Sequence, residues 1–425
     1  MRMKKSKMTL LVGALVVASI IGIVSMSGCI DEKTVETPKQ VPVPTPTETS
    51  KPEVTPVKEE AYKTVTDMRG KAVRIPKDPK RVVAISEGMV DQIMVAFGIE
   101  DKIVGYGSCG KIRDCDTSGY LAINDTSDTY NGSWYIGSIL YPKMRELPYL
   151  GTPTKGINYE QLAELNPDII IMRARDYDKN EGEKKTIATI EKLGFPLIII
   201  NRPNHYDKPD VSTIYKEIEV LGEIFDKQEK AEELIDFLDG KLTFIKERTK
   251  NIPESEKPGV LYFGLSRSAR KKGGAGNVRG IDSIQSIFLE DIINAKNAYR
   301  GKGRVIMSAE QILALNPDVI VLPTSSGFHP PRELYEAEAF ENIREVKAIK
   351  EKRACSLPAV GCRSERLDFA MTLMIEAKCV YPERFKDIDL NEFVDNYYKD
   401  VFDVSDDKVE KLKLTQRLRW LEIIE

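Results

Sequence analysis

The segment NYEQLAELNPDIIIM at residues 158–172 returns as SAEQILALNPDVIVL at 308–322, a constant offset of 150 positions. In each copy a Glu-Gln pair and a Leu or Ile precede Asn-Pro-Asp, and a run of aliphatic residues follows. A proline pushes the residue before it out of the α region. Each copy therefore predicts a short helix stopped at Asn-Pro and followed by a buried parallel strand. Solenoid arrays repeat every few dozen residues; a single recurrence this far apart predicts two similar lobes.

Other strand-to-helix units agree. RVVAIS (81–86) leads into EGMVDQIMVAFGI, with KIVGYG (102–107) and FPLIII (195–200) after it. GVLYFG (259–264) leads into IDSIQSIFLEDIINA, with CSLPAV (355–360) following the second copy of the repeat. Alternation of this kind predicts an α/β sheet in each lobe. Ile214, Ile218, Leu221 and Phe225, then Ala231, Leu234, Leu238, Leu242 and Ile245, keep helical spacing. The second set predicts one long helix joining the lobes. The expected fold is α/β, with two Rossmann-like lobes on a single helical connector, and the 425 residues suffice for two such cores. The expected divisions are an N-terminal lobe at 61–210, connecting helices at 211–250 and a C-terminal lobe at 257–390. A helical extension at 391–425 is expected to pack on the second lobe.

The N-terminus has a signal-peptide layout. Arg2, Lys4, Lys5 and Lys7 precede the uncharged run TLLVGALVVASIIGIV (9–24), which ends in Met26-Ser27-Gly28-Cys29. A membrane span takes about 20 residues, so the run is short for one. Two readings stand: a lipobox whose Cys29 is lipidated and becomes the mature N-terminus, and an uncleaved signal anchor. Both put the remaining chain on the outer face of the cytoplasmic membrane. Residues 30–60 are rich in Pro, Thr, Glu and Lys and poor in large apolar groups, the composition of an extended tether.

Net charge is −3, which points away from nucleic acid. The chain has two histidines, His205 and His329. Sites for bare zinc usually draw on several imidazoles, so a pre-chelated metal is expected rather than direct ligation. The chain carries no HExxH, GxSxG or Walker-type run, and the hydrolase and phosphate-cradling mechanisms lack their parts. A binding protein without a resident cofactor is expected, not an enzyme. Of six cysteines, setting Cys29 aside leaves Cys109, Cys115, Cys355, Cys362 and Cys379. An exported setting permits a Cys109–Cys115 disulfide closing a small loop. Disulfides and buried free thiols stand ahead of metal ligation for the rest.

In open α/β sheets, ligands sit beyond the carboxyl ends of strands, where loops converge and helix N-termini offer amides. That rule selects Ser86, Glu87, Tyr106, Lys111, Arg173, Arg175 and Arg202 in the first lobe. In the second it selects Arg267, Thr324, Ser325, His329 and Arg363. Arginines after buried strands suit carboxylate, catecholate or phosphate oxygens, because the guanidinium is a bidentate fork. The stretch 108–148 is rich in aromatics, including Tyr120, Tyr130, Trp134, Tyr135 and Tyr141. Two uses are open: stacking on a flat ligand such as haem, or packing the insertion against its own lobe.

With the exported cysteine, the repeated Glu-Gln and Asn-Pro-Asp unit and the long connector, the chain resembles the iron-chelate and cobalamin class of ABC-importer substrate-binding lipoproteins. The run Val65-Thr66-Asp67-Met68-Arg69-Gly70, with Ile75-Pro76 and Pro79-Lys80-Arg81-Val82-Val83, is similar to that class's opening hairpin and first strand. The resemblance covers residues 61 to the low 380s. It implies capture of a metal chelate, a ferric siderophore-type complex or haem, and delivery to a permease driven by a cytoplasmic ATPase. A corrinoid ligand, and an exported enzyme acting on a corrinoid, are the alternatives. It also implies that an acidic residue on each lobe meets arginines of the permease. Glu160 stands at the first-lobe position. The second-lobe match before Asn297 is Lys296, with Glu290 the nearby acid.

Overall fold

The computed structural model describes residues 61–108, 111–112, 114–116, 131–133, 135–265, 273–323, 330–358 and 366–422. An antiparallel hairpin opens it, β1 (Tyr62–Thr66) with β2 (Ala72–Pro76). The Asp67 carboxylate accepts from Arg69 N and Lys71 N and so makes the turn. It also accepts from Ile199 N, which pins the hairpin to the first-lobe sheet.

That sheet holds β3 (Val82–Ile85), β4 (Ile103–Gly107), β9 (Ile169–Ala174) and β10 (Leu197–Asn201), all parallel, in the order β10-β9-β3-β4. Between β4 and β9 lie two short ribbons, β5 (Asp114–Asp116) with β6 (Asn131–Ser133) and β7 (Gly151–Thr152) with β8 (Gly156–Ile157). The helices are α1 (Met89–Ala96), α2 (Gly137–Leu140), α3 (Tyr159–Leu165) and α4 (Glu181–Lys192). The central strands are buried on both faces, Val82, Ala84, Ile169 and Ile171 in one cluster and Val83, Ile85, Ile170 and Met172 in another. Near-continuous hydrophobic runs are what a two-sided parallel strand requires, and each such side chain contributes about 1.5–3 kcal/mol on burial.

The second lobe repeats the plan. Its strands are β11 (Gly259–Gly264), β12 (Gly276–Arg279), β13 (Lys296–Asn297), β14 (Arg304–Met307), β15 (Val319–Leu322) and β16 (Ala354–Ser356). The parallel set runs β16-β15-β11-β13, the same order as β10-β9-β3-β4, and antiparallel β12 and β14 extend the sheet. Its helices include α7 (Ile284–Phe288), α8 (Ala309–Leu315), α9 (Arg332–Glu336), α10 (Lys347–Lys350) and α11 (Phe369–Val380).

The repeated motif works the same way in both copies. Asn158 caps α3 by accepting from Gln161 N at 3.0 Å, and Ser308 caps α8 by accepting from Gln311 N at 3.4 Å. Each helix stops at an asparagine in the left-handed region, Asn166 at φ 40° and Asn316 at φ 42°. Asparagine is one of the few non-glycine residues that adopt this conformation readily. After the proline, the aspartate carboxylate holds the start of the neighbouring central strand. Asp168 accepts from Lys80 N (2.7 Å) and Arg81 N (3.0 Å), and Asp318 from Gly259 N (2.8 Å). Asn-Pro-Asp is thus a helix stop and a strand anchor in one tripeptide.

The connector is α5 (Ser212–Phe225), a left-handed turn at Asp226, and α6 (Gln228–Thr249). Ala231, Leu234, Leu238, Leu242 and Ile245 form the buried stripe of α6, as their spacing predicts. It packs on α11, an almost wholly buried helix of the second lobe. The inner faces of the two sheets and these two helices share one hydrophobic cluster.

The C-terminal helices α12 (Leu390–Phe402) and α13 (Asp406–Gln416) correct an expectation. They do not simply cap the second lobe: α12 also touches α1, and α13 touches α2 of the first. Lys408 Nζ donates to Leu140 O at 3.4 Å. The physical reason is the apolar face of α12, whose Val394, Tyr397, Tyr398, Val401 and Phe402 enter the shared cluster. A face that size is buried by spanning both lobes.

Candidate functional site

β3 ends at Ser86 and Glu87, β4 runs out into Ser108, β9 into Arg175 and β10 into Arg202. The strands are parallel and in register, so these ends lie along one edge, where they line a cavity of about 250 Å³. The loop 152–155, Thr152, Pro153, Thr154 and Lys155, forms the facing wall. It lies hard against the start of α4: a Cβ on Gly182 would sit 2.0 Å from Thr154 O, so only glycine fits there. Thr186 Oγ1 donates to Pro153 O at 2.7 Å and ties the loop down.

Five of the residues selected by the strand-end rule come together in this cavity: Ser86, Glu87, Arg173, Arg175 and Arg202. Their electrostatic states differ. Arg173 is buried and donates from Nε (2.5 Å) and Nη2 (2.7 Å) to both carboxylate oxygens of Glu217, which is itself buried on α5. Arg202 is buried and paired with Glu87 at 2.5 Å. The Arg175 side chain is exposed, and its backbone amide donates to the buried Glu183 carboxylate at 3.1 Å. Among the described residues, neither Arg175 nor Lys155 has a carboxylate partner in an ion pair. Among the described residues, they are the rim cations without a carboxylate partner.

Below the rim, Ser86 Oγ donates to Asp91 Oδ1 at 3.2 Å and accepts from Gly88 N and Val90 N, which starts α1. Tyr135 OH donates to the other oxygen of Asp91. Burial pushes the Asp91 carboxyl above the usual carboxylate range, against these hydrogen bonds and the nearby Arg366 charge. Gly88, at φ 112°, lets Arg366 of the second lobe approach: a Cβ there would lie 2.9 Å from Arg366 Nε. Gln92 Oε1 accepts from Leu367 N at 3.2 Å. The first turn of α1 is therefore the polar joint between the lobes.

Two selected residues lie elsewhere. Tyr106 points to the opposite side of β4 from the cavity and is buried with Tyr135, Tyr141 and Met144. Strand alternation explains this: Gly107, level with Ile85, faces the rim, while its neighbour Tyr106, level with Ala84, faces the other side. That cluster also shows where the described aromatics of the 108–148 stretch go: Tyr135 and Tyr141 pack against their own lobe. Lys111 is exposed and does not line the cavity. Arg267, Thr324, Ser325, His329 and Arg363 lie outside the described residues, as do Cys29 and Cys109; of Cys115 only the backbone, on β5, is described. Sequence reasoning missed Thr152, Thr154, Lys155 and Glu217. The turn-rich run Thr-Pro-Thr-Lys-Gly just before the repeat was the available signal for the first three.

Glu160 and Glu310 occupy the same place in the repeat, exposed in the first turns of α3 and α8, and neither makes an ion pair among the described residues. Glu290, in contrast, accepts from Arg300 Nη1 and from Asn297 N.

Residues 122–360 match the family described as periplasmic binding protein. The chain belongs to the periplasmic binding protein family. Within it, the two α/β lobes on a helical connector are the architecture of the iron-chelate and cobalamin class. An uncharacterised ABC transporter substrate-binding lipoprotein of Bacillus subtilis, YvrC, is 26% identical over 328 residues, 76% of this chain and 87% of that one. The molybdate-binding protein MolA of Haemophilus influenzae is 22% identical over 364 residues, 81% of this chain and 92% of its own. A periplasmic solute binding protein of Veillonella parvula superposes with a TM-score of 0.63 at 21% identity, covering 85% of this chain and 99% of that chain. No helix among the described residues is long and apolar enough to cross a membrane.

Proposed function

We propose that this periplasmic binding protein is the extracytoplasmic substrate-binding component of an ABC importer, tethered through Cys29, and that it captures an anionic, oxygen-rich metal chelate and passes it to a permease. The lipoprotein relatives in Bacillus subtilis and Methanocaldococcus jannaschii support the tether. The observation that carries the ligand class is the rim itself: Arg175 and Lys155, which have no carboxylate partner among the described residues, beside the hydroxyls of Ser86, Ser108, Thr152 and Thr154. Carboxylate or catecholate oxygens of a ferric chelate match guanidinium and hydroxyl donors. A flat macrocycle finds less support there, because Tyr106, Tyr135 and Tyr141 are committed to packing. A metal oxyanion is the second reading, favoured by the MolA relative and by the cavity's modest volume.

Titration calorimetry with ferric citrate, molybdate, haem and cobalamin, beside metal analysis of natively purified protein, separates these ligands. Removing both Arg175 and Lys155 side chains is expected to weaken an oxygen-rich ligand about 100- to 10,000-fold, from about 1.5–3 kcal/mol for each of two charge-assisted bonds. Equal affinity in the double variant would sink the ligand reading. The ligand should also be recovered chemically unchanged.

For delivery, Glu160 and Glu310 are the matched pair, in place of Glu290. Glu160→Lys with Glu310→Lys is expected to abolish ligand-dependent uptake by cells while leaving affinity in solution unaltered. Uptake at the wild-type rate would remove these two residues from the docking face.

A further inference from the structure

We propose that capture of an oxyanionic ligand at this rim takes up one proton from water, that Asp91 receives it, and that Ser86 is thereby freed to donate its hydroxyl to the ligand. The proposal rests on the capture reading above and adds a regulation to it: acid favours loading and alkali favours release.

The hydrogen bonds of Ser86 carry the argument. A hydroxyl has one proton and two lone pairs. Ser86 Oγ spends its proton on Asp91 Oδ1 at 3.2 Å and accepts from Gly88 N and Val90 N, both at 3.3 Å. It lines the cavity with its one proton already committed. A ligand oxyanion therefore competes with the Asp91 carboxylate for that proton, and protonating Asp91 decides the contest for the ligand. The 3.2 Å contact then runs the other way. The Asp91 carboxyl donates, Ser86 Oγ accepts on one lone pair while the two long amide bonds share the other, and the Ser86 O–H turns to the ligand. A buffer acid supplies the proton and is left as its conjugate base; within the protein only hydrogens change partner.

The ligand's charge pushes the same way. With an O–H···O distance of about 2.5–3.0 Å, a ligand oxygen on Ser86 lies within roughly 6 Å of Asp91 Oδ1, and a like charge at that range disfavours the carboxylate. Asp91 is pulled from both sides before ligand arrives. Burial raises its carboxyl, while the Tyr135 hydroxyl, which donates to Oδ2, and the Arg366 guanidinium, 5.9 Å from the Tyr135 ring, favour the charged form. The other ionisable groups around α1 are mostly engaged elsewhere. Glu87 pairs with Arg202, Arg173 of β9 with Glu217 of α5, and Tyr397 of α12 donates to Leu367 O. Tyr106 packs with Tyr135, Tyr398 is buried on α12, Asp368 shares the field of Arg366, and 100–102 lie past the far end of the helix. The uptake falls above the usual carboxylate range, between the raised value of ligand-free Asp91 and the still higher value with ligand bound.

The test is titration calorimetry of the full-length protein with molybdate and with ferric citrate, in amine buffers of different ionisation enthalpy, between pH 5.5 and pH 8. The slope of binding heat against buffer ionisation enthalpy counts the protons taken up. Asp91→Asn is the reference, because an amide keeps the shape and cannot titrate. The expected result is about one proton more per ligand in the wild type than in the variant. For molybdate, whose own charge is constant over this range, wild-type affinity should fall by up to about tenfold per pH unit while that of the variant stays level. Binding should also add a protonated-carboxyl band to the infrared difference spectrum of the wild type, a readout that needs no variant to fold. Equal proton counts in the two proteins, or binding without that band, would overturn the proposal and leave capture standing. Binding of neither probe would remove the capture reading and this proposal with it.

Discussion

Arg173→Ala is expected to destabilise the protein by about 3–5 kcal/mol, whereas Arg175→Ala, two residues along the same strand exit, is expected to change stability by no more than about 0.5 kcal/mol. The contrast follows from burial. The guanidinium of Arg173 and the carboxylate of Glu217 are both removed from water, and they satisfy each other through two parallel hydrogen bonds. Deleting one partner leaves the other charge in a low-dielectric interior, a cost that an exposed arginine never incurs. Glu217→Ala should be as damaging. Arg173→Met with Glu217→Leu should recover most of the loss, since apolar replacements of similar volume remove both charges together. Urea unfolding followed by circular dichroism reads all four proteins. A loss under about 1 kcal/mol for Arg173→Ala would show that the pair is solvated in solution. Arg173 thus lines the cavity and, through Glu217, also joins β9 to α5 beneath the rim.

The fold was legible because its two halves are written with the same grammar. Asn-Pro-Asp has one stable outcome, a left-handed helix stop followed by a strand anchor, and the 150-position offset placed both copies. The stripe on α6 was equally readable, because its spacing alone decides which face is buried. Two things were not. The partner of a buried charge is a matter of tertiary structure, and nothing around Ile218 and Leu221 marks Glu217 as the mate of a residue 44 positions earlier. The course of α12 and α13 depends on how much apolar face must be covered, and spacing says which side of a helix is greasy but not what lies against it. The Glu310 placement, by contrast, was written in the repeat, since 160 and 310 differ by the same 150 positions.

The joint and the braces belong to one mechanical picture. α6 and α11 sit in a core common to both sheets, α12 and α13 run between the lobes, and the α1 turn meets 366–368 through Gly88, Asp91 and Gln92. A hinge needs a few residues free to change φ and ψ. Three packed crossings leave little of that freedom, so ligand is expected to enter a rim already formed, with small movements of the backbone.

Raising the pH from 4.5 to 8 is expected to weaken this core, on the order of 3 kcal/mol from one residue. Glu376 on α11 is buried beside Tyr262, whose hydroxyl donates to it. Burial raises its carboxyl from 4.5 to about 8, and the tyrosine hydrogen bond opposes that only in part. In the unfolded chain the group loses its proton near 4.5, while the folded protein keeps it until about 8. Between those values the native state binds more protons, so its stability is full below 4.5 and falls as pH rises, by at most about 1.4 kcal/mol per unit. Asp91 and Asp368, both buried, are shifted by burial in the same direction. Exposed Asp78 and Asp387, which Lys102 and Arg248 hold at about 2, act in the opposite sense but only below the usual carboxylate range, outside this window. Glu376→Gln keeps an oxygen for Tyr262 and has no proton to lose. Its urea midpoint should therefore fall less than that of the wild type between pH 5 and pH 8.5, and the two curves should separate most at the alkaline end. Parallel curves across that range would mean that Glu376 ionises normally and that water reaches the centre of the second lobe.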